Sequence, residues 1–152
     1  MTHGFRKAKV AIVSSVGGHL TDVLSVLPAF SDVERLWILQ DESPLLPDSE
    51  RAFVVAHAER DLRVLYNFFE FLVLFSREKP DVVVSPGAGI AVPAAVIARL
   101  FGIPVIYLEC SCSVVQLSLT GRIMRFLTSR FFVQWRGLAS KTKGARYIGG
   151  VF

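Results

Sequence analysis

The chain has 152 residues, of which 52% are hydrophobic and 20% charged, and its mean hydropathy is +0.48. That is the length of one domain, spanning 1–152, and the composition excludes disorder while leaving apolar surface over for a membrane or a partner. The net charge of +4 is lopsided: residues 1–109 hold ten Lys/Arg against thirteen Asp/Glu, and residues 110–152 hold seven Lys/Arg and no acid. The C-terminal side is therefore matched to an anionic partner, and the zinc-finger, helix-turn-helix and aromatic RNA-binding patterns that would make it a nucleic acid are missing.

In chain order, Lys9–Ser14 (KVAIVS) reads as a buried strand, followed by a helix over His19–Leu27 that Pro28 closes. Strands are predicted at Arg35–Gln40 and Arg51–Ala56, with a polar, proline-containing loop at Asp41–Glu50 between them. A long helix covers Asp61–Arg77, a strand Asp81–Ser85, and a helix Ile90–Phe101 stops at Gly102. Then come a strand at Pro104–Leu108, a helix at Ser118–Thr128, a strand at Arg130–Trp135 and a last short strand in Ala145–Phe152. Apolar, β-branched strands alternating with amphipathic helices predict an α/β fold, a Rossmann-like parallel sheet with helices on both faces. Ligands of such sheets bind at the carboxyl ends of the strands, which directs attention to the loops after the first, fourth and fifth strands.

The first of these loops is Ser14-Ser15-Val16-Gly17-Gly18-His19. Paired glycines at a helix start let backbone N–H groups approach an anion, although a plain tight turn has the same spelling. His19 is placed to serve as a general base or a phosphate contact, and equally to be a bland surface residue. The second loop, Ser85-Pro86-Gly87-Ala88-Gly89, repeats the strand-to-helix setting; two such loops can converge on one crevice, and two unrelated turns have the same spelling. The third begins at Glu109, whose carboxyl group either orients a sugar hydroxyl or His19, or is an ordinary solvated glutamate. Neither GxGxxG nor GxxxxGK[ST] occurs, so a dinucleotide or P-loop reading lacks its fingerprint and no cofactor is implied.

Cys110 and Cys112 read as two free thiols of a reducing cytoplasm, because a bridge between i and i+2 is strained and two cysteines are too few ligands for a metal. No secretory signal is visible, and no run reaches the roughly 18 apolar residues of a membrane span. Leu62–Phe75 (LRVLYNFFEFLVLF) is nonetheless too apolar for a one-faced surface helix. It is an interfacial membrane helix, a helix covered by a partner, or one buried in the core.

The motifs VGGHL, SPGAGIAVP, YLEC, SLTG, FFVQW and YIGGVF, in this order from Lys9 to Phe152, resemble the acceptor-side subunit of the split N-acetylglucosaminyltransferase of dolichol-linked oligosaccharide synthesis, and its bacterial exopolysaccharide and capsule relatives. The resemblance implies a domain equivalent to the N-terminal half of a GT-B glycosyltransferase. It also implies a heterodimer in which a separate catalytic subunit binds the nucleotide-sugar donor. This half would bind a lipid-pyrophosphate-linked sugar acceptor and dock on an anionic membrane surface, peripherally at the inner face of the cell membrane. Carried over residue by residue, Gly17 and Gly18 lie at the acceptor with His19 as the proposed base, and Ser85, Gly87 and Gly89 face them. Tyr147, Val151 and Phe152 of the closing segment would grip the partner, unless that segment completes the chain's own sheet. Three departures are visible: no N-terminal membrane anchor is read here, Ser113 stands where relatives commonly carry Arg, and Asp22 where Glu is usual. Two rival readings are a stand-alone nucleotide-binding enzyme and a non-catalytic membrane scaffold for a complete transferase.

Overall fold

The computed structural model describes residues 6–43, 45–47, 49–56 and 63–150. Seven strands are found among them: β1 (Lys9–Ser14), β2 (Glu34–Leu39), β3 (Arg51–Val54), β4 (Val82–Ser85), β5 (Val105–Leu108), β6 (Arg130–Val133) and β7 (Ala145–Tyr147). They form one sheet in the order β3-β2-β1-β4-β5-β6-β7, with every neighbouring pair parallel. The order reverses direction at β1, so β1 and β4 flank the point where the connections diverge and a crevice opens.

Period-two alternation sorts the central strands' side chains into two cores. Ala11 and Val13 of β1, with Leu36 and Ile38 of β2, face the larger core. Val10, Ile12, Trp37 and Leu39 face the smaller one. The smaller core is closed by Leu20 and Val23 of helix α1 (Gly18–Ser25). The larger is closed by α2 (Arg63–Glu78), α3 (Ala91–Leu100) and α4 (Leu119–Leu127), with α5 (Arg136–Lys141) adding Leu138. Two short elements went unread in the sequence: α5 and a 3-10 turn at Leu27–Phe30, where Pro28 starts a new turn after α1 has ended.

Helix α3 lies close against the sheet because its inward positions are small: Ala91, Ala94, Ala95 and Ala98 are all buried. Helix α2 combines the alternatives left open by its composition. Asn67, Phe71 and Phe75, four residues apart, form a buried stripe, and the two rings pack with centroids 5.4 Å apart. Each such ring contributes about 2–3 kcal/mol by burial. Asn67 donates to the Ala56 carbonyl at 2.9 Å, fixing α2 to the end of β3. Five apolar residues of the same helix are exposed: Leu65, Tyr66, Phe69, Leu72 and Val73. No helix among the described residues is long and apolar enough to cross a membrane.

The tail is part of the sheet as far as it is described. β7 pairs with β6, and the Ile148 N–H donates to the Val133 carbonyl at 3.2 Å. The Tyr147 and Ile148 side chains remain exposed, the first beneath the Arg136 guanidinium. Val151 and Phe152 lie outside the described residues.

Candidate active site

The loops after β1, β4 and β5 meet at the carboxyl ends of their strands. Loop one delivers the chain into α1 through Gly17, whose φ of +87° is the left-handed conformation that glycine adopts without a Cβ clash. No side chain caps α1 and no acid occupies its first turn, so its leading N–H groups and partial positive charge are left to the crevice. Among the described residues, a Cβ at Gly17 or Gly18 would have nothing within 4 Å. That space admits a ligand close to the backbone, the arrangement that binds phosphate oxygens at helix N-termini.

Loop two sits differently. Ser85 is buried, and its hydroxyl donates to the Val13 carbonyl at 2.7 Å while accepting from Gly87 N–H at 3.2 Å. It therefore binds β4 to β1 and shapes the loop. Gly87, at φ +128°, is pressed on His19 and Tyr107: a Cβ there would come within 2.9 Å of His19 Cε1 and 3.3 Å of the Tyr107 hydroxyl. The glycine is the space that brings those two side chains together. Gly89 is exposed at the start of the turn into α3.

Loop three is organised around Glu109, which is fully buried. Two residues beyond Tyr107 in an extended strand, it falls on the same sheet face, beneath the start of α4. Its Oε1 accepts from Cys110 N–H and the Ser113 hydroxyl, both at 3.1 Å, while Oε2 has no hydrogen-bond partner among the described residues. Ser113, in the place of the relatives' arginine, is spent on Glu109. The SLTG motif then has a local explanation. Ser118 caps α4 by accepting from Gly121 N–H at 2.9 Å, and Gly121 must lack a Cβ because one would overlap Glu109 Oε2. The Tyr107 hydroxyl lies close to Ser118. Burial, and then the neighbouring Glu109, push its pKa far above the ordinary phenol value, so it stays protonated. The FFVQW motif holds the same loop from the other side: Gln134 Nε2 donates to the Glu109 carbonyl at 3.1 Å and Trp135 Nε1 to the Ser111 carbonyl at 2.8 Å. The loop encloses a cleft of about 350 Å³ lined by residues 112–118.

Asp22, noted in the sequence only as a departure, turns out to connect loop one with loop three. It is buried one helical turn after His19, and its Oδ2 accepts from Ser111 N–H at 3.1 Å. Its i, i+3 spacing from His19 was the available signal. Cys110 and Cys112 are not the two free thiols expected. They are joined as a disulfide, their Cα atoms 5.2 Å apart and so within bridging reach even at this short separation.

Of the residues singled out, Gly87 meets His19 across loops one and two, Gly17 and Gly18 open α1, Gly89 is exposed before α3, Ser85 and Glu109 are buried, and Tyr147 lies on the edge strand β7. Tyr107, Asp22, Ser118 and Gly121 join the set as residues the motif reading undervalued. The arrangement offers an imidazole beside an uncapped helix start, with a protonated phenol at its back.

The comparisons agree with this architecture. Among solved structures, MurG from Acinetobacter baumannii superimposes with a TM-score of 0.76 at 18% identity over 94% of this chain and 46% of that one. A UDP-GlcNAc 2-epimerase from Methanocaldococcus jannaschii gives 0.73 at 13% identity, over 93% and 46%. The chain thus spans about half the length of the solved structures it matches, and its fold is Rossmann-like, that of one half of a GT-B protein. Human UDP-N-acetylglucosamine transferase subunit ALG14 is 27% identical over 177 residues, covering 93% of this chain and 82% of the human one. The pyrophosphoryl-undecaprenol N-acetylglucosamine transferase of Gloeothece citriformis is 28% identical over 136 residues, covering 80% of this chain but 35% of its own. The family model described as oligosaccharide biosynthesis protein Alg14 like matches residues 55–151, well over half of the chain, and the chain belongs to that family.

Proposed function

We propose that this chain is the acceptor-side subunit of a two-component glycosyltransferase, which moves a sugar from a nucleotide-sugar to a lipid-pyrophosphate-linked saccharide. The observation that carries this reading is the uncapped, sterically open start of α1 with His19 as its second residue. An anionic pyrophosphate is the group such a helix terminus stabilises, and His19 is then beside the acceptor. Relatives named as transferase subunits support the split arrangement, and the lack of a nucleotide fingerprint supports leaving the donor to a separate catalytic subunit.

In the proposed reaction the acceptor hydroxyl attacks the anomeric carbon in line, with inversion. His19 accepts the hydroxyl proton as the new glycosidic bond forms and the nucleoside diphosphate leaves. Glu109 acts from behind by fixing loop three and α4, and Ser85 by tying β4 to β1. Peripheral docking on an anionic bilayer is supported by the exposed apolar face of α2 and by the seven basic residues of 110–152.

The test is a transfer assay on anionic vesicles carrying lipid-pyrophosphate acceptor and labelled nucleotide-sugar, with this chain alone and with its donor-binding partner. The chain alone should be inactive and the pair active. His19→Ala in the pair should lower kcat about 100- to 10,000-fold. Robust turnover by the single chain, or normal kcat and acceptor KM in the His19→Ala pair, would sink the corresponding half of the reading.

A further inference from the structure

One cluster joins His19 to two residues that the proposed transfer does not use, Asp22 and Cys110. One ligand atom each from His19, Asp22 and Cys110 lies within 4.8 Å of the other two. His19 and Asp22 are one turn apart on α1, so both project from one side of the helix, and Cys110 opens loop three across from them. We propose that these three residues form a binding site for a divalent cation of borderline softness, zinc being the fitting ion, and that the Cys110–Cys112 disulfide controls access to it.

Three observations carry the proposal. The donors are imidazole nitrogen, carboxylate oxygen and sulfur, the mixed set that zinc accepts, while magnesium and calcium prefer oxygen alone. His19 Nδ1 is buried without a hydrogen-bond partner, a polar atom that the described residues leave unserved. Asp22 is already oriented, its Oδ2 held by Ser111 N–H so that Oδ1 remains for an ion. An outer hydrogen bond of this kind is how metal-binding carboxylates are usually aimed. Tetrahedral zinc donors stand about 3.5 Å apart, so movements of about 1 Å, within the reach of side-chain rotation, close the set around an ion. Three protein ligands leave a fourth position for water.

The bridge supplies the control. While Cys110 is bonded to Cys112 it has no thiolate to offer. A dithiol reductant delivers two electrons and two protons, the S–S bond breaks into two thiols, and the reductant leaves as a disulfide. Cys110 then releases its proton to solvent as the metal–sulfur bond forms. Metal occupancy withdraws His19 from proton transfer. That consequence rests on the proposed transferase function, whereas the binding itself does not.

The experiment uses the full chain, reduced with a phosphine under exclusion of oxygen and titrated with cobalt(II) as a spectroscopic stand-in for zinc. A thiolate-to-cobalt charge-transfer band and the strong visible bands of a tetrahedral site are expected, both bleached by added zinc. The unreduced chain should give neither. Cys110→Ser should abolish the charge-transfer band. His19→Ala and Asp22→Ala should each weaken cobalt binding at least about tenfold. Cys112→Ser should keep the band and no longer require the reductant. Circular dichroism of each variant confirms that the fold is retained. Absence of the band in the reduced chain overturns the proposal. So does its survival in Cys110→Ser, its loss in Cys112→Ser, or an affinity indifferent to both His19 and Asp22, which would mark simple chelation by the cysteine pair. None of these readings depends on sugar transfer, so a failed transfer assay and a failed metal site remain distinguishable.

Discussion

A Cβ added at Gly17 or Gly18 would touch nothing, whereas one at Gly87 would press on His19 and Tyr107 and one at Gly121 would overlap Glu109. All four glycines stand near the start of a helix, three around the turn after a strand and Gly121 in the first turn of α4. In the first pair the missing side chain leaves room for something from outside the chain. In the second pair it makes room for the chain's own atoms. A glycine-rich loop is therefore no single signal: its meaning depends on what fills the space.

The contrast is broken most severely at Gly121. The Gly121→Ala methyl has to displace a buried carboxyl group that is held by Cys110 and Ser113, a loss on the order of 3 kcal/mol in a urea or thermal unfolding measurement. Glu109→Ala should recover part of that loss in the double variant, because the two residues compete for one volume. Strictly additive effects would mean that they do not meet.

A paired substitution sharpens the comparison. Gly87→Ala places a β-carbon at a strained φ and against His19, and should cost about 2 kcal/mol of stability along with sugar transfer. Gly18→Ala lies in open space at the helix start, so stability should stay within about 1 kcal/mol of the parent while acceptor-dependent transfer falls. If Gly18→Ala leaves transfer by the assembled enzyme untouched, the open space is not a ligand's.

The smallest effect is a pH dependence belonging to the second pair's surroundings. Tyr107 has a folded pKa raised above its unfolded value of about 10 by burial and by Glu109. Below pH 10 both states hold the proton and its full contribution is present. Above it the unfolded chain loses the proton first, so stability declines with a slope approaching about 1.4 kcal/mol per pH unit from this one group. Tyr107→Phe should flatten that alkaline decline; an unchanged slope would show that the phenol is not held protonated in the fold.

Much of the fold was legible because the chain obeys simple periodicities. KVAIVS and RLWILQ are apolar on both faces, which only a covered parallel sheet explains, and Gly102 and Pro104 punctuate α3 and β5 plainly. α5 was missed because RGLASK is six residues long and buries only Leu138. In the site, strand order brings the loops after β1, β4 and β5 side by side, as the sequence order of strands and helices implies. What stayed hidden was direction. Glu109 was expected at the crevice, yet the side chain of a strand-end residue takes its face from strand parity, and Tyr107 had already assigned that face to α4. The sequence is likewise silent on the Ser85 hydroxyl's bond to the Val13 carbonyl, since a hydroxyl that serves a ligand and one that serves a neighbouring carbonyl are spelled alike. The pairing of Cys110 with Cys112 depended on the turn of loop three, which no spacing rule specifies.

Between Gly87 and Gly89 stands Ala88, whose φ of +70° puts an L-residue in the left-handed region at a cost of roughly 1–2 kcal/mol. Glycine would sit there freely. The alanine methyl makes the turn a loaded spring, held by the Ala91 N–H donating to the Ala88 carbonyl at 3.2 Å and by the Ser85 latch beneath. Loop one has no comparable tension, since its left-handed residue is Gly17. The two walls of the crevice therefore differ mechanically. In one the left-handed residue is a glycine that adopts the conformation freely, while in the other it is an alanine held there at a cost.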